Sequence, residues 1–225
     1  MKKIGSFLYK YRHAWTLLYL FIYMPWFVWL ETHVDRYHVI YSPIDDLIPF
    51  CEYFIVPYLL WFGYVAIVMA YLLFHSKEDF YRASAFLFIG MSIALLICTV
   101  WPNGQNLRVD VDADKNVFCR LVARLYSTDT HTNVFPSIHV LNSIGIHIAV
   151  CRNKTLSSRK PVVAASGILM VLICMSTVFL KQHSVVDVAG GIALALVMYI
   201  LVYMPHDLRV LIPQDNRLRP SKRPQ

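Results

Sequence analysis

Hydrophobic and polar positions follow one another along the chain in long blocks. Six apolar blocks, each close to the roughly 20 residues that cross a bilayer, are separated by polar and charged segments. Five of them contain no Asp, Glu, Lys or Arg, and the sixth contains only Asp187. We therefore predict six membrane-spanning helices, because a bilayer forces such segments to satisfy their backbone hydrogen bonds internally. The predicted spans are Ala14–Leu30, Tyr53–Phe74, Ala83–Trp101, Val134–Val150, Val162–Leu180 and Ser184–Met204.

The composition agrees with this pattern. Hydrophobic residues make up 57% of the 225 residues and charged residues only 16%, against about 25% charged in an average soluble domain. The net charge of +7 could suggest nucleic acid in a soluble protein, but here the basic residues flank apolar blocks, where they signal topology. We predict an all-α, multi-pass membrane protein with one domain over residues 1–225 and no nucleic-acid partner.

The loop charges predict the orientation of the spans. Placing the N-terminus in the cytoplasm puts 15 of the 21 Lys and Arg residues in cytoplasmic segments, as the positive-inside rule requires. Six spans then return the C-terminus to the cytoplasm, where residues 205–225 form a basic tail. The longest outer loop, Pro102–Asn133, contains a predicted short amphipathic helix at Asn116–Tyr126. The five cysteines show no paired spacing, so no zinc or redox motif is predicted.

A carboxylate and a histidine lie together at the start of the last apolar block. Asp187 lies inside a span, where a charge is costly and usually has a partner. His183 lies four residues earlier, on the same helix face. A carboxylate there can bond one imidazole nitrogen and leave the other as a nucleophile or base. The pair alone leaves open a purely structural role at a helix end.

Residues 135–139 read Phe-Pro-Ser-Ile-His and predict a helix start. Proline suits a first helical turn, and Asn133 stands where a capping residue is expected. The free N–H groups of such a turn attract anions, Ser137 adds a hydroxyl donor, and His139 can transfer a proton. The alternative is an ordinary capped helix with an incidental histidine.

Arg108 in the preceding outer loop is a third candidate. Its guanidinium can fork onto phosphate oxygens, although a solvated loop arginine is the simpler interpretation. The topology, which was assigned from loop charge, puts Arg108, Ser137, His139 and His183 at the same membrane face. This convergence favours a phosphate site over unrelated polar residues.

Pro136–His139 followed by His183–Asp187 resembles the type 2 phosphatidic acid phosphatase (PAP2) superfamily. That family has a proline-serine-x-histidine box and a later histidine-x-x-x-aspartate box. It also has an earlier arginine box, which Arg108 matches in placement. The resemblance covers about residues 101–204. The two boxes in this order and topology are more specific than either box alone.

The resemblance implies a metal-independent enzyme that acts on a lipid phosphate within the membrane lipids, without a cofactor. It would hydrolyse a phosphomonoester or pyrophosphate, with His183 as the nucleophile that forms a phosphohistidine. Asp187 would orient His183, and His139 would protonate the leaving oxygen. Arg108 and Ser137 would hold the phosphoryl oxygens. The sequence does not indicate an oligomeric state.

The chain departs from the family pattern at three positions. Trp101 replaces a lysine, Val109 a proline and Thr177 an arginine, and we expect Lys181 to supply part of the missing charge. Family members that move phospho-head-groups between lipids, such as sphingomyelin and inositol phosphorylceramide synthases, also relax these boxes. A lipid phosphotransferase is therefore the first alternative function. A non-enzymatic transporter or scaffold is the second, because intramembrane polar residues also mark transport routes.

Overall fold

The computed structural model describes residues 9–34 and 36–205, which form a mainly helical protein with very little strand. Two 3₁₀ helices, Arg12–Tyr19 and Glu52–Phe54, lead directly into α1 and α3. The short strands β1 (His38–Val39) and β2 (Asn103–Gly104) pair in parallel. In the described part of the chain, the α-helices are α1 (Leu20–Thr32), α2 (Pro43–Leu47), α3 (Ile55–His75), α4 (Lys77–Val100), α5 (Val117–Thr128), α6 (Ile138–Arg152), α7 (Lys154–Ser157), α8 (Lys160–Phe179) and α9 (Val185–Val202).

Helical segments long and apolar enough to cross a membrane dominate the structure. The all-α, multi-pass membrane fold expected from the sequence is therefore confirmed, whereas the count of six spans and the cytoplasmic position of both termini stay predictions. α6 is apolar but only 15 residues long. The predicted basic tail from His206 onward lies outside the described residues. Among those residues, the five candidate spans are Arg12–Thr32, Glu52–His75, Lys77–Val100, Lys160–Phe179 and Val185–Val202.

α6 forms the centre of the bundle and packs against α3, α4, α8 and α9. Its close contact with α4 depends on Gly145, where an added Cβ would lie 2.4 Å from the ring of Phe86. Large apolar side chains on the surrounding helices point outward instead, as Ile67 on α3 and Leu196 on α9 do. The surrounding helices thus provide much of the apolar surface, and α6 can carry polar side chains inside the protein.

The start of α6 differs from the prediction. The predicted span begins at Val134, but Ser137 is the N-cap and the helix begins at Ile138. The expectation that Asn133 caps this helix is wrong, because its side chain donates to Glu31 at 2.9 Å. The segment before the helix is held by its neighbours instead, since the backbone N–H of Phe135 donates to the Asn103 side chain at 2.8 Å.

Three connections gather at one end of the bundle, which we call the site end. They are residues 33–51, 101–137 and 180–184. The pairing of β1 with β2 joins the first two connections. Residues of three separate parts of the chain therefore meet over the ends of α3, α6, α8 and α9.

The amphipathic helix predicted at Asn116–Tyr126 is present as α5, which begins one residue later and ends two residues later. Asn116 caps it by accepting from the N–H of Cys119 at 2.8 Å. Its buried face packs Val122 against Tyr58 and Leu180. α5 therefore covers the site end and anchors the loop that leads to α6.

Candidate active site

The starts of α6 and α9 lie side by side at the site end. The backbone N–H of Ser137 donates to the carbonyl of Asp187 at 3.1 Å. Gly191 permits this approach, because a Cβ there would lie only 2.7 Å from the Ser137 carbonyl. The two sequence boxes are consequently joined by backbone contact, as their shared membrane face predicted.

His183 and Asp187 form the expected pair. His183 Nδ1 lies 3.4 Å from Asp187 Oδ2, and Asp187 is fully buried. The same oxygen accepts from the backbone N–H of Ser184 at 2.9 Å, which completes a capping box at the start of α9. The backbone N–H of His183 donates to the carbonyl of Thr177 at 3.0 Å. The backbone of His183 is thus held by Thr177, and the imidazole turns its Nδ1 towards the carboxylate of Asp187.

His139 lies opposite His183 across a short gap. The centroids of the two imidazole rings are 6.0 Å apart. The rings of Tyr58 and Trp61 from α3 each lie 4.5 Å from the ring of His139. The rings of Tyr58 and Trp61 therefore cover His139. The distance between the two imidazoles leaves room for them to contact opposite sides of a group the size of a phosphoryl group.

Buried polar atoms without a hydrogen-bond partner are concentrated at the site end. Each such atom costs about 1–3 kcal/mol when nothing satisfies it, so a group of them marks a place for a polar ligand. Among the residues that the structure describes, seven of the twelve such side-chain atoms lie here: Arg108 Nε, Asn133 Oδ1, Ser137 Oγ, His139 Nε2, Gln182 Nε2, His183 Nδ1 and Asp187 Oδ1.

Arg108 is close to this group, but much of its guanidinium already binds the chain. Its Nη atoms donate to the carbonyls of Tyr126, Asp129 and Thr130 at 2.7–2.9 Å and to the Gln182 side chain at 2.6 Å. Burial lowers the pKa of the guanidinium. Nε has no partner in the described chain, and Nη1 uses only one of its two N–H groups, so two donors are left for a ligand. Arg108 therefore ties the loop after α5 to the turn before α9, and its phosphate-binding role stays a prediction.

Lys181 lies in the same turn and contacts the first loop. Its backbone φ is 53°, and its ammonium donates to the carbonyl of Asp45 at 2.6 Å. An ammonium has three donors, so this contact leaves capacity for a phosphate oxygen. Lys181 therefore lies in the turn that leads to His183, and its role as a phosphate ligand stays a prediction.

Trp101 and Thr177 occupy the two positions where the family's boxes have a lysine and an arginine. The ring of Trp101 stacks beside His38, with the centroids 5.7 Å apart. Thr177 is buried, and its hydroxyl donates to the carbonyl of Cys174 at 2.8 Å. Neither side chain supplies charge, so the two positions shape the protein here without adding a cation.

The sequence analysis missed several polar residues of the site end. Tyr58 donates to the carboxylate of Asp129 at 3.1 Å. Burial raises the pKa of that carboxyl and Glu31 raises it further, whereas the charges of His183 and Arg108 act in the opposite sense. A tyrosine in an apolar span and an aspartate in a polar loop carry no local signal of this contact.

Asp45 was also missed, although the sequence held a sign of it. Ser42 and Asp45 have the spacing of a capping box around Pro43, and the structure forms that box at the start of α2. Asp45 is only 2% exposed. The capping pattern could have predicted α2, but not the burial of its carboxylate.

Comparison with known proteins agrees with the two boxes. Residues 110–209 match the family model of the PAP2 superfamily, a region that contains Ser137, His139, His183 and Asp187 but begins just after Arg108. No curated protein and no solved structure matches the chain. The resemblance expected from the paired boxes is confirmed over this region: residues 110–209 of the chain match the PAP2 superfamily.

Proposed function

We propose that the protein is a membrane-embedded lipid phosphate phosphatase, which hydrolyses a phosphomonoester or pyrophosphate of a lipid through a phosphohistidine. The observation that carries the proposal is the arrangement of two imidazoles, 6.0 Å apart, with the Asp187 carboxylate 3.4 Å behind one of them. Such a pair can act on opposite sides of one phosphorus atom. Family membership makes phosphate chemistry the expected use of this geometry.

In the first step His183 is the nucleophile. Because Nδ1 faces Asp187, Nε2 is the nitrogen that attacks phosphorus. The new N–P bond forms as the P–O bond to the lipid breaks, and His139 gives its proton to the departing oxygen. Asp187 stabilises the positive charge that develops on the ring, as the orienting carboxylate of a catalytic triad does.

In the second step water replaces the lipid. His139, now neutral, takes a proton from water, whose oxygen attacks phosphorus while the N–P bond breaks. Inorganic phosphate and the free His183 result. The unpartnered donors of Ser137, Arg108 and the first turn of α6, with Lys181, would stabilise the charge on the phosphoryl oxygens in both steps.

One observation favours a phosphotransferase as the second candidate. Trp101 and Thr177 stand where the family's phosphatases carry cations, so less charge is available to hold a free phosphate dianion. In that case a lipid or alcohol hydroxyl would replace water in the second step. The same histidines and the same phosphohistidine would serve both reactions.

A panel of lipid phosphates offered to the purified protein would test the proposal. Free phosphate and new phospholipids should be measured together, with the His183→Ala variant as the control. We expect phosphate release that survives EDTA and is inhibited by vanadate. New lipid in place of phosphate would favour the transferase, and equal turnover by the variant would contradict both.

We also propose that the site end faces the extracytoplasmic side, in keeping with the distribution of basic residues. A single Cys introduced by Thr130→Cys should react with an impermeant thiol reagent added outside intact cells. One introduced by Ser157→Cys, at the opposite end of the bundle, should react only after permeabilisation. The native cysteines require replacement or subtraction as background. The reverse labelling pattern would overturn the orientation.

A further inference from the structure

Asp45 makes an unusual set of contacts for a residue of a surface loop. It lies in the five-residue helix α2 and is 2% exposed, whereas its neighbour Asp46 is exposed. Its carboxylate accepts from the hydroxyl of Ser184 at 2.6 Å and from the N–H of Val185 at 2.8 Å. The N–H of Ser42 is a third donor, at 2.8 Å. A buried carboxylate is costly unless several donors satisfy it, and here they do.

These contacts hold the His183 turn on both sides. After His183, the carboxylate of Asp45 binds Ser184 and Val185. Before His183, the ammonium of Lys181 binds the backbone carbonyl of Asp45 at 2.6 Å. The turn cannot move relative to α2 without breaking hydrogen bonds at one side or the other.

Two hydrogen bonds and one close contact also connect Asp45 with His183. Asp45 accepts from the Ser184 hydroxyl, and the Ser184 N–H donates to Asp187 Oδ2 at 2.9 Å. That oxygen is the one 3.4 Å from His183 Nδ1. A change at Asp45 therefore reaches the imidazole through Ser184 and Asp187.

We propose that Asp45 is a positioning residue for the reaction at His183, an inference that rests on the proposed function. By fixing the turn from residue 181 to residue 185, it keeps the His183 imidazole aimed at phosphorus. Misplacing a reacting group by about 1 Å can slow an enzyme about 100-fold. Asp45 lies outside residues 110–209, the region that matches the family.

The test compares Asp45→Asn with the matched control Asp46→Asn, which alters an exposed carboxylate on the same short helix. Asparagine keeps the size of Asp45 but replaces one acceptor oxygen by an NH₂ group, which cannot accept from Ser184 or Val185. We expect kcat to fall about 10- to 100-fold with KM changed less than threefold, and phosphohistidine to form more slowly after rapid mixing. Asp46→Asn should keep the wild-type values.

Coupling to Ser184 separates positioning from general loss of stability. If Asp45 acts through Ser184, the losses of kcat in Asp45→Asn and Ser184→Ala should not multiply in the double variant. Multiplying losses, or wild-type kcat in a well-folded Asp45→Asn protein, would overturn the proposal. The melting temperature of each purified variant shows whether it is folded.

A readout without turnover keeps this proposal distinct from the proposed function. The rate at which diethylpyrocarbonate modifies His183, followed by mass spectrometry, reports the accessibility and orientation of its imidazole. We expect at least a threefold change in Asp45→Asn and none in Asp46→Asn. If the wild type turns over no lipid phosphate, the proposed function fails while this rate still tests the contact. An unchanged His183 rate in Asp45→Asn would refute the positioning role.

Discussion

The starts of α6 and α9 are neighbours with the same N-cap residue type, yet their polar groups are used differently. At α9, the Ser184 hydroxyl accepts from the N–H of Val186 at 3.1 Å, and Asp45 accepts from the N–H of Val185. At α6, Ser137 caps with its backbone only, and its buried hydroxyl has no partner within the described chain. The first N–H groups of α9 thus have hydrogen-bond partners, so we call this start saturated. The Ser137 hydroxyl at the start of α6 has none, so we call that start open.

This difference suggests separate roles for the two helix starts: α9 supports His183, and α6 binds the phosphate. Two of the protein's own carboxylates, Asp45 and Asp187, already occupy the positive end of the α9 helix dipole. An incoming phosphate would be repelled there and attracted to the open start of α6. In the proposed mechanism the start of α9 therefore supports His183, the proposed nucleophile, and the start of α6 is available to the substrate. We expect the largest effect from loss of His183 and the smallest from loss of the charge of Lys181.

His183→Ala should abolish turnover, with a loss of about 10⁴-fold or more, as for the nucleophile of other covalent mechanisms. The physical reason is that the proposed N–P bond forms on Nε2 of His183, which alanine lacks. Rapid quenching with a ³²P-labelled lipid phosphate should give an acid-labile phosphoprotein in the wild type and none in the variant. Phosphate trapped on His139 instead would reverse the assignment of the two histidines.

His139→Ala should cost about 10²- to 10⁴-fold on a lipid phosphate, since it removes the proton donor to a poor leaving group. A nitrophenyl phosphate ester departs without that proton, so the variant should be impaired much less on it. The ratio of kcat/KM values for the two substrates measures the difference. Equal losses on both would mean that His139 binds phosphate or supports the fold.

Exchanging the two N-cap serines for alanine tests the comparison directly. Ser137→Ala should lower kcat/KM about 10- to 100-fold, the value of a hydrogen bond to a charged group, and leave the melting temperature unchanged because no internal bond is lost. Ser184→Ala should lower the unfolding free energy by about 1–2 kcal/mol, as loss of a serine cap does. Thermal melts in detergent and steady-state kinetics would measure both. A destabilised Ser137→Ala protein with normal kinetics would break the distinction.

Lys181→Ala should give the smallest loss, a roughly 10-fold fall in turnover, or about 1.4 kcal/mol. The expected cause is a missing positive charge near the phosphoryl oxygens. Lys181→Arg, which keeps the charge, serves as the matched control and should lose less. Wild-type turnover in Lys181→Ala would mean that Lys181 only contacts Asp45 and does not bind phosphate.

The features that depend on residues close together in the sequence could be predicted from it. Apolar block length gave the membrane helices, and amphipathic spacing gave α5. The i,i+4 spacing of His183 and Asp187 gave their contact, at 3.4 Å. The PAP2 family, confirmed over residues 110–209, was readable from the two boxes because the residues of each box are close in sequence.

The rest depends on partners that are distant in sequence. Arg108 was expected to bind phosphate, but its donors also meet the carbonyl of Asp129 and the side chain of Gln182, 21 and 74 residues away. The sequence around Arg108 does not indicate that its guanidinium will donate to these distant groups. The start of α6 was predicted too early for the same reason, since residue 135 is held by Asn103, 32 residues before it.

The bond between Asp45 and Val185 also has a consequence for biosynthesis, because the two residues are 140 positions apart. At about 5–20 residues per second, a ribosome needs roughly 7 to 28 seconds to make the intervening chain. During that interval the first loop has been translated while its partner does not yet exist. The earlier helices can enter the membrane in turn, but the loop can bind its last contacts only when α9 has been made. Chains that stop before Ser184 therefore leave the Asp45 carboxylate without those donors, and the first loop lacks the contacts that hold it in the finished protein.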